Sequence, residues 1–173
     1  MENPTLQKRI TVILALSGVM AALVAIATFI IQIPVAATGG YLNFGDIMIF
    51  VTALTFGPAV GGLAGGIGSF ISDVAGGYAA TYAPFTLVIK GVEGLIAGAI
   101  SNRKKAWRDV VAVAFAGAEM VTGYFLAEFY PLHLGWAAAL EVPGNILQIV
   151  VGAIIGIPIA LILRRRLPQT WRM

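Results

Sequence analysis

Residues 47–72 read IMIFVTALTFGPAVGGLAGGIGSFIS, an apolar stretch that Gly57-Pro58 divides. The stretch forms either one long kinked helix or two short helices that are separated at this dipeptide. Proline lacks a backbone donor and glycine adopts turn conformations without steric cost, so the dipeptide favours the break. One helix would give the chain five membrane spans, and two helices would give it six.

The composition indicates an integral membrane protein. Hydrophobic residues make up 59% of the 173 residues and charged residues 11%, whereas charged residues make up about 25% of ordinary soluble domains. The N-terminal apolar run lacks a small-residue cleavage pattern, so we interpret it as a retained span and not as a signal peptide. With no Cys and one His, the chain has no thiolate ligands and little for a zinc cluster, so we predict no metal site and no cofactor.

Basic residues favour six spans over five. Ten of the eleven Lys and Arg residues flank the apolar runs, and these ten are Lys8, Arg9, Arg103, Lys104, Lys105, Arg108, Arg164, Arg165, Arg166 and Arg172. Six spans with the N-terminus inside place all ten in the cytoplasm, whereas the best arrangement of five leaves Lys8 and Arg9 outside. Insertion machinery and anionic lipid select such short flanking clusters, so we expect no nucleic-acid binding.

The predicted fold is all-α: one domain over residues 1–173, an integral membrane bundle of six transmembrane helices with cytoplasmic N- and C-termini. The predicted spans are 11–31, 47–56, 59–72, 85–100, 110–129 and 142–163. The outer connections are longer than tight turns, while the inner ones are short; the outer ones are 34–45, 76–84 and 130–140. This asymmetry indicates an outer mouth that is shaped to cover something.

Small residues mark two kinds of helix surface. The glycines of residues 61–68, with Gly91, Gly94 and Gly98, let neighbouring helices approach closely, which predicts packing inside the bundle. On the first span, a strip of small residues follows helical spacing: Ala15, Gly18, Ala22 and Ala25. This strip fits either internal packing or docking to another membrane subunit, and its spacing does not separate the two.

A polar stripe opens the sixth span, with Glu141, Asn145, Gln148, Gly152 and Gly156 at steps of four, three, four and four. Unsatisfied polar groups in lipid cost several kcal/mol, so the stripe must face the bundle interior or a water-filled cavity. Two amides that donate and accept suit the edge of a heterocycle. Hydrogen bonds between helices are the alternative interpretation.

Ionisable residues in the spans are candidates for the same site. Lys90 and Glu93 stand three apart on the fourth span and should pair, either as a structural couple or as part of a site. For Glu119 three readings stay open: a pair with Lys90, a bond to a ligand donor, or a protonated carboxyl. Glu128 lies near the outer surface, and Asp46 and Asp73 are expected to cap helices or anchor loops.

Aromatic and polar residues of the outer side complete the candidates. They form an interfacial belt or, as a set, stack on a flat aromatic ligand. The candidate ligand-binding residues are Lys90, Glu93, Glu119, Tyr124, Glu128, Glu141, Asn145, Gln148, Tyr41, Asn43, Tyr82, His133 and Trp136.

The chain resembles the substrate-binding S components of energy-coupling-factor (ECF) vitamin transporters. The resemblance rests on the segments Tyr41-Leu42-Asn43-Phe44-Gly45-Asp46, Phe56-Gly57-Pro58, Tyr82-Ala83-Pro84-Phe85-Thr86 and Lys90-Gly91-Val92-Glu93-Gly94. It implies capture of a water-soluble vitamin beneath the loop 34–45, with contacts from the outer ends of the fourth to sixth helices. It also implies a membrane coupling subunit, met by the strip Ala15, Gly18, Ala22 and Ala25, two cytoplasmic ATPase subunits, and the plasma membrane of a prokaryote.

The leading hypothesis is a binding and translocation subunit for a thiamine-pathway pyrimidine, a B6 vitamer or riboflavin. The chain lacks the G-x-x-x-x-G-K-[ST] phosphate loop, so partners must supply the energy. The alternative is an ion- or proton-coupled transporter or channel that uses Lys90, Glu93 and Glu119 as a relay. An intramembrane enzyme ranks last, because no nucleophile and base stand at helical spacing, and we predict that the chain is not an enzyme.

Overall fold

The computed structural model describes residues 4–102, 105–167 and 171. It has six α-helices: α1 Pro4–Ile30, α2 Gly45–Phe56, α3 Pro58–Ala75, α4 Ala83–Ile100, α5 Trp107–Phe129 and α6 Val142–Arg166. The predicted helical bundle is confirmed. Three of the ten flanking cations, Arg103, Lys104 and Arg172, lie outside the described residues.

Two short elements occupy the loops at one end of the bundle. An antiparallel hairpin of β1 Gln32–Val35 and β2 Gly40–Asn43 joins α1 to α2, and a 3-10 helix, Gly135–Leu140, precedes α6. The charge pattern predicts that this end faces outward, and we call it the outer end. The sequence did not predict the hairpin, which gives the first outer loop a regular structure.

Four segments are long and apolar enough to cross a membrane: residues 6–30, 83–100, 107–129 and 135–166. Large apolar side chains on their surfaces are not covered by the chain; Leu14, Phe115 and Ile154 are all more than 60% exposed. Such a surface suits contact with lipid tails. The shorter α2 is mostly enclosed by the other helices, since ten of its twelve residues are buried.

The chain reverses direction at Gly57, where φ is +98° and α2 ends. Pro58 is the first residue of α3. A backbone N–H at this position has no acceptor within the helix, so proline, which lacks the N–H, loses no hydrogen bond there. Asp73, near the end of α3, accepts a hydrogen bond from Tyr41, which lies just before α2. The end of α3 has therefore returned to the level at which α2 began, so two helices replace the single kinked one.

Close contacts explain the glycines of α3 and α4. A Cβ built on Gly94 would lie 2.2 Å from the carbonyl oxygen of Gly61, and one on Gly68 would lie 2.5 Å from the carbonyl oxygen of Ala21. Real Cβ atoms do not come so near, so any side chain there would push α3 away from α4 or α1. The predicted packing role of these glycines is confirmed.

The inner end of the bundle is held together by Arg164, which the sequence predicts to be one of the cytoplasmic flanking cations. Its guanidinium donates to Asp109 Oδ2 at 2.8 Å, to Ser101 Oγ at 2.8 Å and to the Leu54 carbonyl oxygen at 2.7 Å. The partners belong to α5, to the end of α4 and to α2. The side chain of Arg164 is 5% exposed, so Arg164 has a structural role in addition to its expected role as a flanking cation.

Candidate ligand-binding site

A small cavity lies at the outer end of the bundle, beneath the β-hairpin. Its lining comes from five of the six helices, the hairpin and the turn before α4: Thr28, Gly40, Tyr41, Asn43, Ser69, Asp73, Tyr82, Thr86, Lys90, Tyr124, Glu141, Asn145 and Gln148. The free volume is about 20 Å³, room for roughly one water molecule. The structure therefore shows the cavity closed, with its polar groups drawn together.

The roof of the cavity is held by hydrogen bonds between the hairpin and its surroundings. The backbone N–H of Asn43 donates to Gln148 Oε1 at 2.7 Å, and the Tyr82 hydroxyl donates to the Thr38 carbonyl oxygen at 3.0 Å. Thr38 also donates through its hydroxyl to Glu141. Both the α3–α4 turn and α6 thus position the hairpin.

The α6 stripe turns its polar side chains inward. Asn145 and Gln148 are buried, and Gln148 Nε2 donates to Asn145 Oδ1 at 2.9 Å. Gly152 and Gly156 continue the same buried face against α2, where Cβ atoms would approach Phe50. This agrees with the expectation that the stripe faces the interior, and Gln148 bonds to the hairpin as well as within its own helix.

The floor of the cavity is a buried charge cluster around Lys90, whose side chain is 2% exposed. Its Nζ lies 3.0 Å from Glu93 Oε2 and also forms an ion pair with Asp46. The ring centroid of Tyr124 lies 5.7 Å from the same Nζ, close enough for a cation–π contact. Lys90 therefore bridges α4 to the first turn of α2.

The pairing corrects the expectation for Asp46. The sequence predicts that Asp46 caps a helix or anchors a loop, but no side chain of the described residues caps the N-terminus of α2, and the Asp46 carboxylate pairs with Lys90 instead. A buried ammonium needs compensating charge, and two carboxylates supply it here. Glu119, one of the two partners considered for Lys90, forms no ion pair within the described residues.

Tyrosines form the side of the cavity nearest the outer surface. Tyr41 donates to Asp73, and its ring lies 4.7 Å from that of Tyr78, which in turn contacts Tyr82. Burial, with the nearby Asp73 carboxylate, raises the pKa of Tyr41 above its ordinary value. The pKa of Tyr82 is also raised above its ordinary value, by burial and by the carboxylates of Glu128 and Glu141. Both phenols therefore stay neutral hydrogen-bond donors at physiological pH.

The structure brings together eight of the thirteen candidate residues in the cavity lining: Tyr41, Asn43, Tyr82, Lys90, Tyr124, Glu141, Asn145 and Gln148. Two more lie directly behind it, because Glu93 pairs with Lys90, and the buried Glu128 lies beside Tyr82 and Glu141.

Three candidates lie outside the cavity, contrary to expectation. Glu119 lines an open groove on the outer surface of α5 together with Phe115 and Leu126. His133 is exposed in the loop that follows α5. Trp136 is 79% exposed and contacts Phe129 edge to face, which suits an interfacial aromatic.

Sequence reasoning missed several lining residues, above all Thr28 on α1 and Ser69 on α3. Both are 2% exposed, and their hydroxyl oxygens have no hydrogen-bond partner among the described residues. A signal existed for each. Thr28 continues the buried face of α1 that contains Ala21 and Val24, and Ser69 stands one helical turn before Asp73.

The small-residue strip of α1 faces away from the bundle. Ala15, Gly18 and Ala22 are exposed and Ala25 is half-buried, while the face with Ala21 packs on α3. A Cβ on Gly18 would meet nothing within 4 Å. Internal packing, one of the two interpretations of this strip, is therefore wrong within the described chain.

Comparison with known proteins gives two matches. A family model described as "ECF-type riboflavin transporter, S component" matches residues 9–165, which includes the whole cavity lining. An uncharacterised protein of the gap 3' region from Pyrococcus woesei is 43% identical over 145 residues, which cover 83% of this chain and 96% of that protein.

Proposed function

Because the chain belongs to the family of ECF-type riboflavin transporter S components, we propose that it captures and translocates a small heteroaromatic vitamin or vitamin precursor. S components are vitamin-binding transporter subunits and not enzymes, and this chain is one of them. The finer proposal concerns the ligand: a thiamine-pathway pyrimidine, a B6 vitamer or riboflavin.

One observation carries this proposal, namely the buried polar cavity beneath the hairpin. Burial of Lys90, Asn145 and Gln148 within a membrane bundle is energetically costly. Their presence together in one cavity therefore supports a functional role for their polar atoms. The tyrosines offer flat surfaces for stacking, and the amides offer donors and acceptors for a ring edge. This combination suits a flat, polar heterocycle of vitamin size.

Binding requires the cavity to enlarge, since its present volume of about 20 Å³ is far below the roughly 300 Å³ at which ligand pockets begin. The hairpin is the element to move. It is attached to the helices through hydrogen bonds of Thr38, Tyr41 and Asn43. We propose that the ligand enters from the outer side when these bonds break.

Titration of the purified full chain with a vitamin panel tests this function. Isothermal calorimetry with thiamine, pyridoxine, riboflavin and 4-amino-5-hydroxymethyl-2-methylpyrimidine should reveal saturable binding of at least one compound. Asn145→Ala, in the lining, should weaken that binding by about tenfold or more, equivalent to about 1.4 kcal/mol. Thr122→Ala is the matched control, because Thr122 is exposed on α5 and bonds only to its own helix. A panel without any saturable response would contradict the proposal.

We also propose that the chain works with a membrane coupling subunit and two cytoplasmic ATPase subunits in the plasma membrane of a prokaryote. The exposed strip of Ala15, Gly18 and Ala22 supports a docking role, because it is flat and uncovered. Gly18→Leu should abolish co-purification with the coupling subunit and leave vitamin binding unchanged. Ala114→Leu, exposed on α5, should change neither property. Co-purification that survives Gly18→Leu and Ala22→Leu together would place the docking surface elsewhere.

A further inference from the structure

The charges around the cavity bear on the kind of ligand it accepts. Among the described residues in or directly behind the lining, one ammonium, Lys90, faces five carboxyl groups: Asp46, Asp73, Glu93, Glu128 and Glu141. All five carboxyl groups belong to buried residues. Lys90 forms ion pairs with two of them, Asp46 and Glu93, so its positive charge is already compensated.

Neither of the two carboxylates in the lining itself is bonded to a cation among the described residues, and Glu141 also lies beside the carboxyl group of Glu128. Asp73 accepts a hydrogen bond from the Tyr41 hydroxyl, and Glu141 accepts one from the Thr38 hydroxyl. Neither forms an ion pair within the described part of the chain. A buried carboxylate without a cation is unfavourable, so these two groups gain most from a positive charge that arrives from outside the chain.

Two hydroxyl groups of the lining also have unused hydrogen-bonding capacity among the described residues. Thr28 Oγ1 and Ser69 Oγ line the cavity, are almost fully buried and have no hydrogen-bond partner among the described residues. The acceptor oxygens of Asn145 and Gln148 are already engaged, by Gln148 Nε2 and by the Asn43 backbone N–H. Each hydroxyl can donate or accept, whereas the carboxylates of Asp73 and Glu141 can only accept when ionised, and the one cation of the described lining is already paired.

We propose that the ligand is a cationic heteroaromatic compound that carries an ammonium group, bound between Asp73 and Glu141. This inference rests on the proposed vitamin-binding function and narrows it. A neutral flavin leaves the two carboxylates uncompensated, and a phosphorylated vitamin adds negative charge to an acidic site. An aminomethyl pyrimidine or pyridine presents both a flat ring for the tyrosines and a charged donor for the carboxylates.

Two pairs of ligands that differ only in this group test the proposal. The first is 4-amino-5-aminomethyl-2-methylpyrimidine against its 5-hydroxymethyl analogue, and the second is pyridoxamine against pyridoxine. Within at least one pair, calorimetry with the full chain should show the ammonium compound binding roughly tenfold tighter or more, because its charge compensates carboxylates that the hydroxymethyl compound leaves buried without a cation.

Variants then locate the preference. Asp73→Asn and Glu141→Gln keep the shape and a hydrogen-bonding capacity, and each should reduce the ratio within the pair. Glu119→Gln, outside the cavity, should leave the ratio unchanged. Thermal melting of each variant shows whether it is folded. The comparison of the two ligands within a pair is made on the wild-type chain and does not depend on any variant folding.

The outcomes separate this inference from the proposed function. If riboflavin or a hydroxymethyl compound binds as tightly as the ammonium compounds or tighter, the function stands and the cationic preference is wrong. If the ammonium compound binds tighter but Asp73→Asn and Glu141→Gln both keep the full ratio, the assignment to these carboxylates is wrong. If no compound binds, both the function and the inference fail.

Discussion

Replacement of Lys90 by methionine tests how the floor of the cavity is stabilised. Methionine keeps most of the length of lysine but carries no charge, so Lys90→Met leaves Asp46 and Glu93 buried without a cation. The side chains of all three residues are at most 2% exposed, so solvent cannot compensate the loss.

The structure sets the size of the effect. A separation of 3.0 Å between Lys90 Nζ and Glu93 Oε2 corresponds to a Coulomb attraction of about 5 kcal/mol at an effective dielectric of about 20. Desolvation offsets part of this attraction, and removal of one partner from a buried pair typically costs about 3–5 kcal/mol. A chain of this size loses about 2–4 °C per kcal/mol, so the melting temperature should fall by roughly 10 °C.

Thermal melting in detergent, followed by circular dichroism, measures this loss. The double variant Lys90→Met/Glu93→Gln should recover part of the stability, because one of the two uncompensated anions is gone. Lys8→Met is the control for loss of a lysine, since Lys8 is exposed on α1. A Lys90→Met protein that melts within about 2 °C of the wild type would refute the reasoning, because it would show that the buried carboxylates do not need the ammonium.

Other predictions concern the inner end, the helix contacts and the roof. Arg164→Ala removes the buried pair with Asp109 and should destabilise the bundle by about 3–5 kcal/mol, whereas Arg165→Ala should have little effect on melting. Gly94→Ala should lower the melting temperature because its Cβ would lie 2.2 Å from a backbone oxygen of α3, and Gly18→Ala, which meets nothing within 4 Å, should not. Because the pKa of Tyr41 is raised in the fold, its contribution to stability is complete below the unfolded pKa of about 10 and is lost above it. Tyr41→Phe should therefore reduce the fall in melting temperature that the wild type shows above that pH; an equal fall in both proteins would contradict this.

Local signals in the sequence were sufficient for most of the fold. Gly57-Pro58 ends one helix and begins the next because of the backbone properties of these two residues. The flanking cations predict on which side of the membrane each helix end lies. The hairpin β1–β2 escaped prediction because its stability depends on tertiary bonds, such as the one from Asn43 to Gln148. No local sequence pattern identifies the distant residues that form those bonds.

Helical phase can be read from the sequence, whereas the register between helices cannot. Asn145 and Gln148 share one face of α6 and both reached the cavity. Glu119 and Glu128 stand nine residues apart on α5, which places them on roughly opposite sides of an α-helix. They could not both face the cavity, so their spacing in the sequence already excludes one of the two. The pairing of Asp46 with Lys90 was not available, because it depends on how α2 lies against α4.

The two ends of the bundle are polar for different reasons, and the difference suggests where the molecule moves. At the inner end, the donors of Arg164 find Asp109, Ser101 and the Leu54 carbonyl, so the network joins the helices and leaves that guanidinium satisfied. At the outer end, the hydroxyl oxygens of Thr28 and Ser69 have no hydrogen-bond partner in the described part of the chain, and a few hydrogen bonds attach the hairpin above them. Each such bond contributes only about 1 kcal/mol net, so binding energy from one ligand is enough to exchange them. A ligand that satisfies the outer groups can therefore reposition the hairpin while the inner network holds the helices in place.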